Sequence, residues 1–144
     1  VGDGEYTIPI GVAEVKRVGR DATIVAYSKM LLLALEAADQ LGQEGIEVEV
    51  IDPRTLKPLD IPTIVASVKK TGRLVIVEEG WRFCGLGAQI AESVYATAFD
   101  YLDAPIQRVT GEDVPMPYSR PLEDAAIPDK ARVIKAVKAL CSAQ

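Results

Sequence analysis

The residues best suited to chemistry are two adjacent carboxylates, Glu78 and Glu79, which end an apolar, β-branched run. Open α/β sheets place ligands at the carboxyl ends of their strands, so an acid–base pair is one interpretation. Neighbouring residues of a strand point to opposite faces, however, and two such carboxylates do not converge on one atom. We therefore favour hydrogen bonding within the domain, or ion pairing with a neighbouring domain.

The next segment, Gly80-Trp-Arg-Phe-Cys-Gly-Leu-Gly87, joins this predicted strand to a helix. Its glycines could expose backbone amides to a phosphate at the helix start. It has neither G-x-G-x-x-G spacing nor a P-loop lysine, and Trp81 and Phe83 would crowd a pyrophosphate. Cys84 precedes the same helix but has no histidine to activate it. The favoured interpretation is a loop that packs its aromatic side chains on a neighbouring domain.

Histidine, the commonest acid–base group and metal ligand at neutral pH, is missing from all 144 residues. The two cysteines, Cys84 and Cys141, lack metal-binding spacing and are expected to be free thiols in a reducing compartment. We therefore predict no catalytic residue, no cofactor-binding residue and no metal ligand in this chain.

The charge balance excludes some partners and permits others. The net charge of −5 argues against nucleic-acid binding and permits a basic protein partner. No apolar run approaches the length of about 20 residues that a membrane span needs.

Alternating strand and helix patterns predict one three-layer α/β domain, with a mainly parallel sheet of about five strands and helices on both faces. Strands are expected at 8–17, 22–27, 46–51, 73–78 and 106–109, and helices at 29–42, 60–71, 88–99 and 129–143. Ser28 and Asp60 are expected to cap the first two helices. The apolar side of the first helix is assigned to Leu32, Leu35, Ala38 and Leu41.

A proline-rich segment, 109–128, separates the last predicted strand from the last helix. Pro115, Pro117 and Pro121 are expected to hold it extended, because proline fixes φ and restricts the residue before it. Such a long, stiffened loop is seldom a mere connector. We expect it to lie against another surface.

Four stretches carry a resemblance to a known family. They are Tyr6-Thr-Ile-Pro-Ile-Gly11, Glu49-Val-Ile-Asp-Pro-Arg-Thr-Leu-Lys-Pro58, Val77-Glu-Glu-Gly-Trp81 with Gly85-Leu-Gly-Ala-Gln-Ile90, and Leu102-Asp-Ala-Pro105 through Val109-Thr-Gly-Glu-Asp-Val-Pro-Met-Pro-Tyr118 to Ile127-Pro128. The chain resembles the C-terminal domain of the β subunit of the pyruvate dehydrogenase E1 component, one of the thiamine-diphosphate-dependent, transketolase-like enzymes.

This resemblance implies a parent enzyme of α and β subunits, usually α2β2, that decarboxylates pyruvate and transfers acetyl to the lipoyl group of E2. Its cofactors, thiamine diphosphate and Mg, lie between the α subunit and the N-terminal domain of β. Residues 1–144 would then be a transketolase C-terminal-like domain, with 1–7 a linker remnant and the thiamine-binding domain absent. The isolated domain is expected to be inactive and to bind neither cofactor.

The partners implied are the E1 α subunit, a second β subunit, and the basic peripheral subunit-binding domain of E2. The family places E2 contacts at Asp103 and at the chain end, here Gln144. The interdomain or subunit contacts are assigned to Trp81, Phe83, Met116 and Tyr118. An acidic bias of the last third, at Asp100, Asp103, Glu112, Asp113, Glu123 and Asp124, is either a docking patch for this basic module or a solvated surface.

Two alternatives stay open. The β subunit of acetoin dehydrogenase, or of another 2-oxo acid dehydrogenase, resembles the chain closely enough to remain a candidate. A stand-alone, ligand-binding regulatory α/β domain is the alternative from another class. The resemblance implies that the protein is located in the cytoplasm of a bacterium, or in an organellar matrix or stroma.

Overall fold

The computed structural model describes residues 6–142, which form five strands, five α-helices and a short 3-10 turn. In chain order the elements are β1 (Glu14–Arg17), β2 (Ala22–Ala26), α1 (Lys29–Gln43), β3 (Val48–Asp52), α2 (Ile61–Thr71), β4 (Leu74–Trp81), α3 (Leu86–Ala98), the 3-10 turn (Phe99–Tyr101), β5 (Gln107–Gly111), α4 (Arg120–Ala126) and α5 (Lys130–Ser142).

The strands form one sheet in the order β1-β3-β2-β4-β5. Strands β2 to β5 are parallel, and β1 pairs antiparallel with β3 at one edge. Helices cover both faces: α1 and α5 pack on one, α2 and α3 on the other. The predicted three-layer α/β fold with a mainly parallel sheet is confirmed. All five residues of β2 are buried, as expected for a central strand covered on both faces.

Helix α1 buries Ala38 and Leu41 as predicted, but the assignment of Leu32 to its apolar side is wrong. Its buried residues are Met30, Ala34, Ala37, Ala38 and Leu41, whereas Leu32 is exposed. The spacing of three and four residues in the buried set defines one helix face, and Leu32 lies on the opposite side. Three alanines in that set let the helix approach the sheet closely, so leucine content was a poor guide to the packed face.

The proline-rich segment is not extended throughout, because it contains helix α4. Pro121 lies in the first turn, where proline's missing N–H and fixed φ are tolerated.

The expected capping of α1 by Ser28 is wrong: its φ is 55° and its side chain makes no capping hydrogen bond. Asp60 caps α2 as predicted, accepting a hydrogen bond from Thr63 N at 3.1 Å.

Gly19 lies in the buried turn between β1 and β2, against the backbone of β3. A methyl group at Gly19 would overlap the backbone of Val48 and Glu49, which cannot move without shifting β3. We expect Gly19→Ala to lower the free energy of unfolding by about 1–3 kcal/mol in chemical denaturation. Gly80→Ala is the control, since its added Cβ meets open space; equal effects of the two variants would contradict the close approach.

Candidate functional site

Glu78 is the most deeply buried acidic side chain of the described residues, at 1% exposure, and three groups donate hydrogen bonds to it. Its Oε1 accepts from Arg108 at 2.6 Å, and its Oε2 accepts from Gly87 N at 2.9 Å and from the Tyr27 hydroxyl at 3.1 Å. These contacts join the ends of β2 and β4 to β5 and to the first turn of α3. Glu78 therefore ties four elements together on the α2–α3 face of the sheet.

The raised pKa of the Tyr27 hydroxyl keeps it protonated beside this carboxylate. Burial, and then the negative charge of Glu78, raise the pKa of Tyr27 well above its ordinary value. Arg108 offsets the charge of Glu78, and its own Nε finds no hydrogen-bond partner within residues 6–142. Glu79 is only half-buried, and the two carboxylates have different environments, as their strand positions predicted. This arrangement serves as a structural ion pair.

The start of α3 is already occupied by this ion pair. A Cβ at Gly87 would overlap Glu78, and one at Gly85 would lie 2.9 Å from Arg108. The Gly87 N–H in this first turn donates to Glu78 Oε2 and is not free to bind a phosphate. Within 6–142, the His, Cys, Asp and Glu side chains form no group of three suited to a metal ion. Cys84 is exposed in the loop between β4 and α3.

Four exposed apolar residues lie at the carboxyl end of β4 or in the segments that follow β4 and β5, and we name them the carboxyl-edge surface: Trp81, Phe83, Met116 and Tyr118. Trp81 ends β4 opposite Gly111 of β5. Tyr118 is fully exposed and Phe83 is 78% exposed. Large apolar side chains grouped at one edge are typical of a surface that another domain or subunit covers.

Asp103 lies at the opposite, amino edge of the sheet. Its N–H donates to the Gly72 carbonyl at 2.8 Å, and its carboxylate lies 3.8 Å from Arg73. Arg73 is held in place by the Leu140 carbonyl of α5, at 3.1 Å, so the end of α5 belongs to the same edge. The Asp103 side chain is 61% exposed and remains accessible to a partner. Gln144 lies outside the described residues.

The acidic residues of the last third do not form one patch. Asp100 and Asp103 lie at the amino edge, whereas the other four lie around α4 and the segment before it. Two of those four are paired internally: Glu112 with Arg132 at 3.2 Å, and Asp124 with Arg120 at 3.4 Å. The composition bias therefore gives no support of its own to docking at Asp103.

Sequence reasoning missed an apolar hollow beside Asp103. Its lining residues are Tyr95, Phe99, Leu102, Asp103, Ala104 and Pro105. The signal was present, since Tyr95 and Phe99 are four residues apart at the end of α3 and share one exposed side. Their ring centroids lie 6.0 Å apart. Both aromatic residues remain exposed in the isolated domain.

These features define a three-layer α/β domain whose buried ion pair is structural and whose accessible groups lie at two opposite sheet edges. Residues 11–133 match the family described as "Transketolase, C-terminal domain". The chain belongs to this family. No helix within residues 6–142 is long and apolar enough to cross a membrane.

Similar proteins are called pyruvate dehydrogenase E1 component subunit beta. The protein from Rhizobium meliloti is 51% identical over 95% of this chain, and that from Rickettsia bellii 56% identical over 93%. The mitochondrial protein from Dictyostelium discoideum is 52% identical over 94%. The chain spans 30%, 41% and 38% of their respective lengths. The resemblance inferred from the sequence motifs is confirmed.

Two solved structures share the fold. A split-gene transketolase, described as an inactive beta4 tetramer, superposes with a TM-score of 0.82 at 32% identity and covers 96% of this chain; the chain covers 44% of it. A 2-oxoglutarate:ferredoxin oxidoreductase from Magnetococcus marinus gives a TM-score of 0.63 at 16% identity over 90% of this chain and 20% of its own, which shows the fold alone.

Proposed function

We propose that this chain is the C-terminal domain of the E1 β subunit of a pyruvate dehydrogenase complex, in which it serves subunit assembly and the docking of E2. The observation that carries the proposal is identity of 51–56% over at least 93% of the chain with bacterial proteins called by that name. The parent enzyme would oxidatively decarboxylate pyruvate and transfer acetyl to the lipoyl group of E2.

In this proposal the domain performs no chemistry itself. The buried carboxylate Glu78 accepts hydrogen bonds from Arg108, Gly87 and Tyr27, so its oxygens and the Gly87 N–H are already engaged within the domain. Thiamine diphosphate and Mg would therefore be held elsewhere, between the α subunit and an N-terminal β domain. The transketolase C-terminal-like domain would extend over residues 1–144, with 1–7 as linker.

The two sheet edges suit two separate partners. The carboxyl-edge surface offers Trp81, Phe83, Met116 and Tyr118 to another domain, the α subunit or a second β subunit. The amino edge offers Asp103 to the basic E2 subunit-binding domain. Because the two surfaces lie at opposite ends of the strands, one partner need not displace the other. A bacterial cytoplasm or an organellar matrix fits relatives of both bacterial and mitochondrial description.

A chimeric β subunit tests the assembly role. Residues 6–142 would replace the C-terminal domain of the Rickettsia bellii β subunit, which would be co-expressed with its α subunit. We expect a soluble hetero-oligomer that decarboxylates pyruvate, because the chain is 56% identical to the Rickettsia bellii protein over 93% of the chain. Size-exclusion chromatography with light scattering measures assembly, and reduction of an electron acceptor measures decarboxylation.

The matched controls use the chain alone and a surface variant. Calorimetric titration of the chain with thiamine diphosphate and Mg should give no saturable heat; micromolar binding would contradict the inactive-domain proposal. The chimera with Phe83→Ala and Tyr118→Ala should assemble less well, since both side chains are too exposed to stabilise the domain itself. A folded chimera that does not associate with the α subunit would overturn the assembly role.

A further inference from the structure

The hollow beside Asp103 is a preformed, mainly apolar depression of about 280 Å³. Tyr95 is tied to the residue that precedes β5, because Ile106 N donates to its hydroxyl at 3.2 Å. Asp103 is tied to the turn after α2 through its hydrogen bond to Gly72. Both walls are therefore anchored by backbone groups, which lowers the ordering cost of binding.

Its chemistry is apolar with one charge at the rim. Asp103 supplies the only carboxylate among the described lining residues, and the others are aromatic or aliphatic. An occupant that was only apolar would desolvate the Asp103 carboxylate without compensation, which costs free energy. Arg73 supplies little compensation, since it is 3.8 Å away and also engaged with the Asp21 and Leu140 carbonyls. A suitable occupant therefore has a cation beside its apolar group.

The openness of the hollow favours a partner's side chain over a small molecule. Small-molecule sites bury most of their ligand, whereas two walls of this hollow remain exposed, Tyr95 at 38% and Phe99 at 65%. Phe99 forms one wall while 65% exposed, so it contributes area that only a partner would bury. Interfaces draw most of their affinity from a few such apolar anchors near charged groups.

Resting on the docking role proposed above, we propose that this hollow receives an aliphatic side chain of the E2 module, next to the basic residue that meets Asp103. Recognition at the amino edge then has two parts. The carboxylate selects a basic partner and accelerates encounter, while the hollow supplies affinity that salt does not screen. A basic module without an aliphatic side chain beside its cation would bind weakly.

Titration calorimetry with a recombinant E2 peripheral subunit-binding domain, at low and high salt, tests the proposal. We expect Phe99→Ala to weaken binding about tenfold at both salt concentrations, because it removes an apolar wall and no charge. Leu32→Ala is the matched control: Leu32 is also 65% exposed, and it lies on α1 at the other face of the sheet. Neither replacement is expected to unfold the domain.

The outcomes separate this inference from the docking role itself. If the wild-type chain does not bind the E2 peripheral subunit-binding domain, the docking role is overturned and this inference fails with it. Binding that is lost in Asp103→Asn yet unchanged in Phe99→Ala would leave the docking role intact and overturn the hollow as an anchor. If Phe99→Ala alters only self-association in sedimentation, the hollow is a contact between copies and the proposal is wrong.

Discussion

Replacing Glu78 by glutamine should lower the free energy of unfolding by about 3–5 kcal/mol, because it leaves Arg108 charged and buried without a counter-ion. Glu78 is 1% and the Arg108 side chain 12% exposed, so solvent screens this pair little. Glutamine keeps the size of the side chain, and the loss is therefore electrostatic rather than a packing defect. Urea denaturation followed by circular dichroism measures it.

Two controls make this prediction specific. Glu79→Gln changes the adjacent, half-buried carboxylate and should alter stability by less than about 0.5 kcal/mol. The double variant Glu78→Gln with Arg108→Met should recover much of the loss, because removing both charges avoids an uncompensated one. A Glu78→Gln protein as stable as the wild type would show that the ion pair does not hold β4, β5 and α3 together.

The sequence was sufficient to predict the layers and the sheet because each buried strand is a short apolar run next to a helical pattern. Strands β2, β3 and β4 all carry alternate residues into two cores, so their hydrophobic composition alone indicates burial on both faces. The same reasoning predicted that Glu78 and Glu79 diverge. It could not select Glu78 as the buried one, since its partner Arg108 is thirty residues away and meets it only through strand pairing.

The misses share a physical cause. Leu32 was assigned to the packed face of α1 because leucine is apolar, yet alanines at Ala34, Ala37 and Ala38 determine how closely the helix approaches the sheet. Helix α4 was missed because Pro121 was expected to hold the segment extended, although proline is favoured in a first turn. In both cases tertiary packing and position within the element outweighed residue type.

The candidate docking edge was predicted only in part. Asp103 was assigned from the family resemblance, and the acidic bias of the last third was an argument for it. The structure removes that argument, because only Asp100 accompanies Asp103 at the amino edge. Two contacts that the sequence could not reveal now describe this edge. The Asp103 N–H is anchored by the Gly72 carbonyl, and Arg73 links the Asp103 carboxylate to the end of α5. The assignment of Asp103 to E2 binding itself stays a prediction.

Asp103→Asn should weaken binding of the E2 peripheral subunit-binding domain by about 2–5 kcal/mol at low salt, if the complex desolvates the ion pair made by this carboxylate. The side chain is 61% exposed in the free domain, so its charge is available to a cation of the partner. The same change should cost little stability, since the Arg73 contact of 3.8 Å is a weak, partly exposed pair. Calorimetry gives the affinity, and thermal unfolding confirms that the variant is folded.

Asp100→Asn is the matched control, because it removes the same charge from the adjacent 3-10 turn. If Asp103 acts through a specific ion pair, Asp100→Asn changes affinity much less, and its small effect vanishes at high salt, where the Debye length shortens to a few ångströms. If the two variants weaken binding equally, and both effects disappear with salt, then the amino edge attracts the module only through long-range charge. In that case Asp103 is not a contact residue, and its carboxylate serves only the turn between α2 and β4.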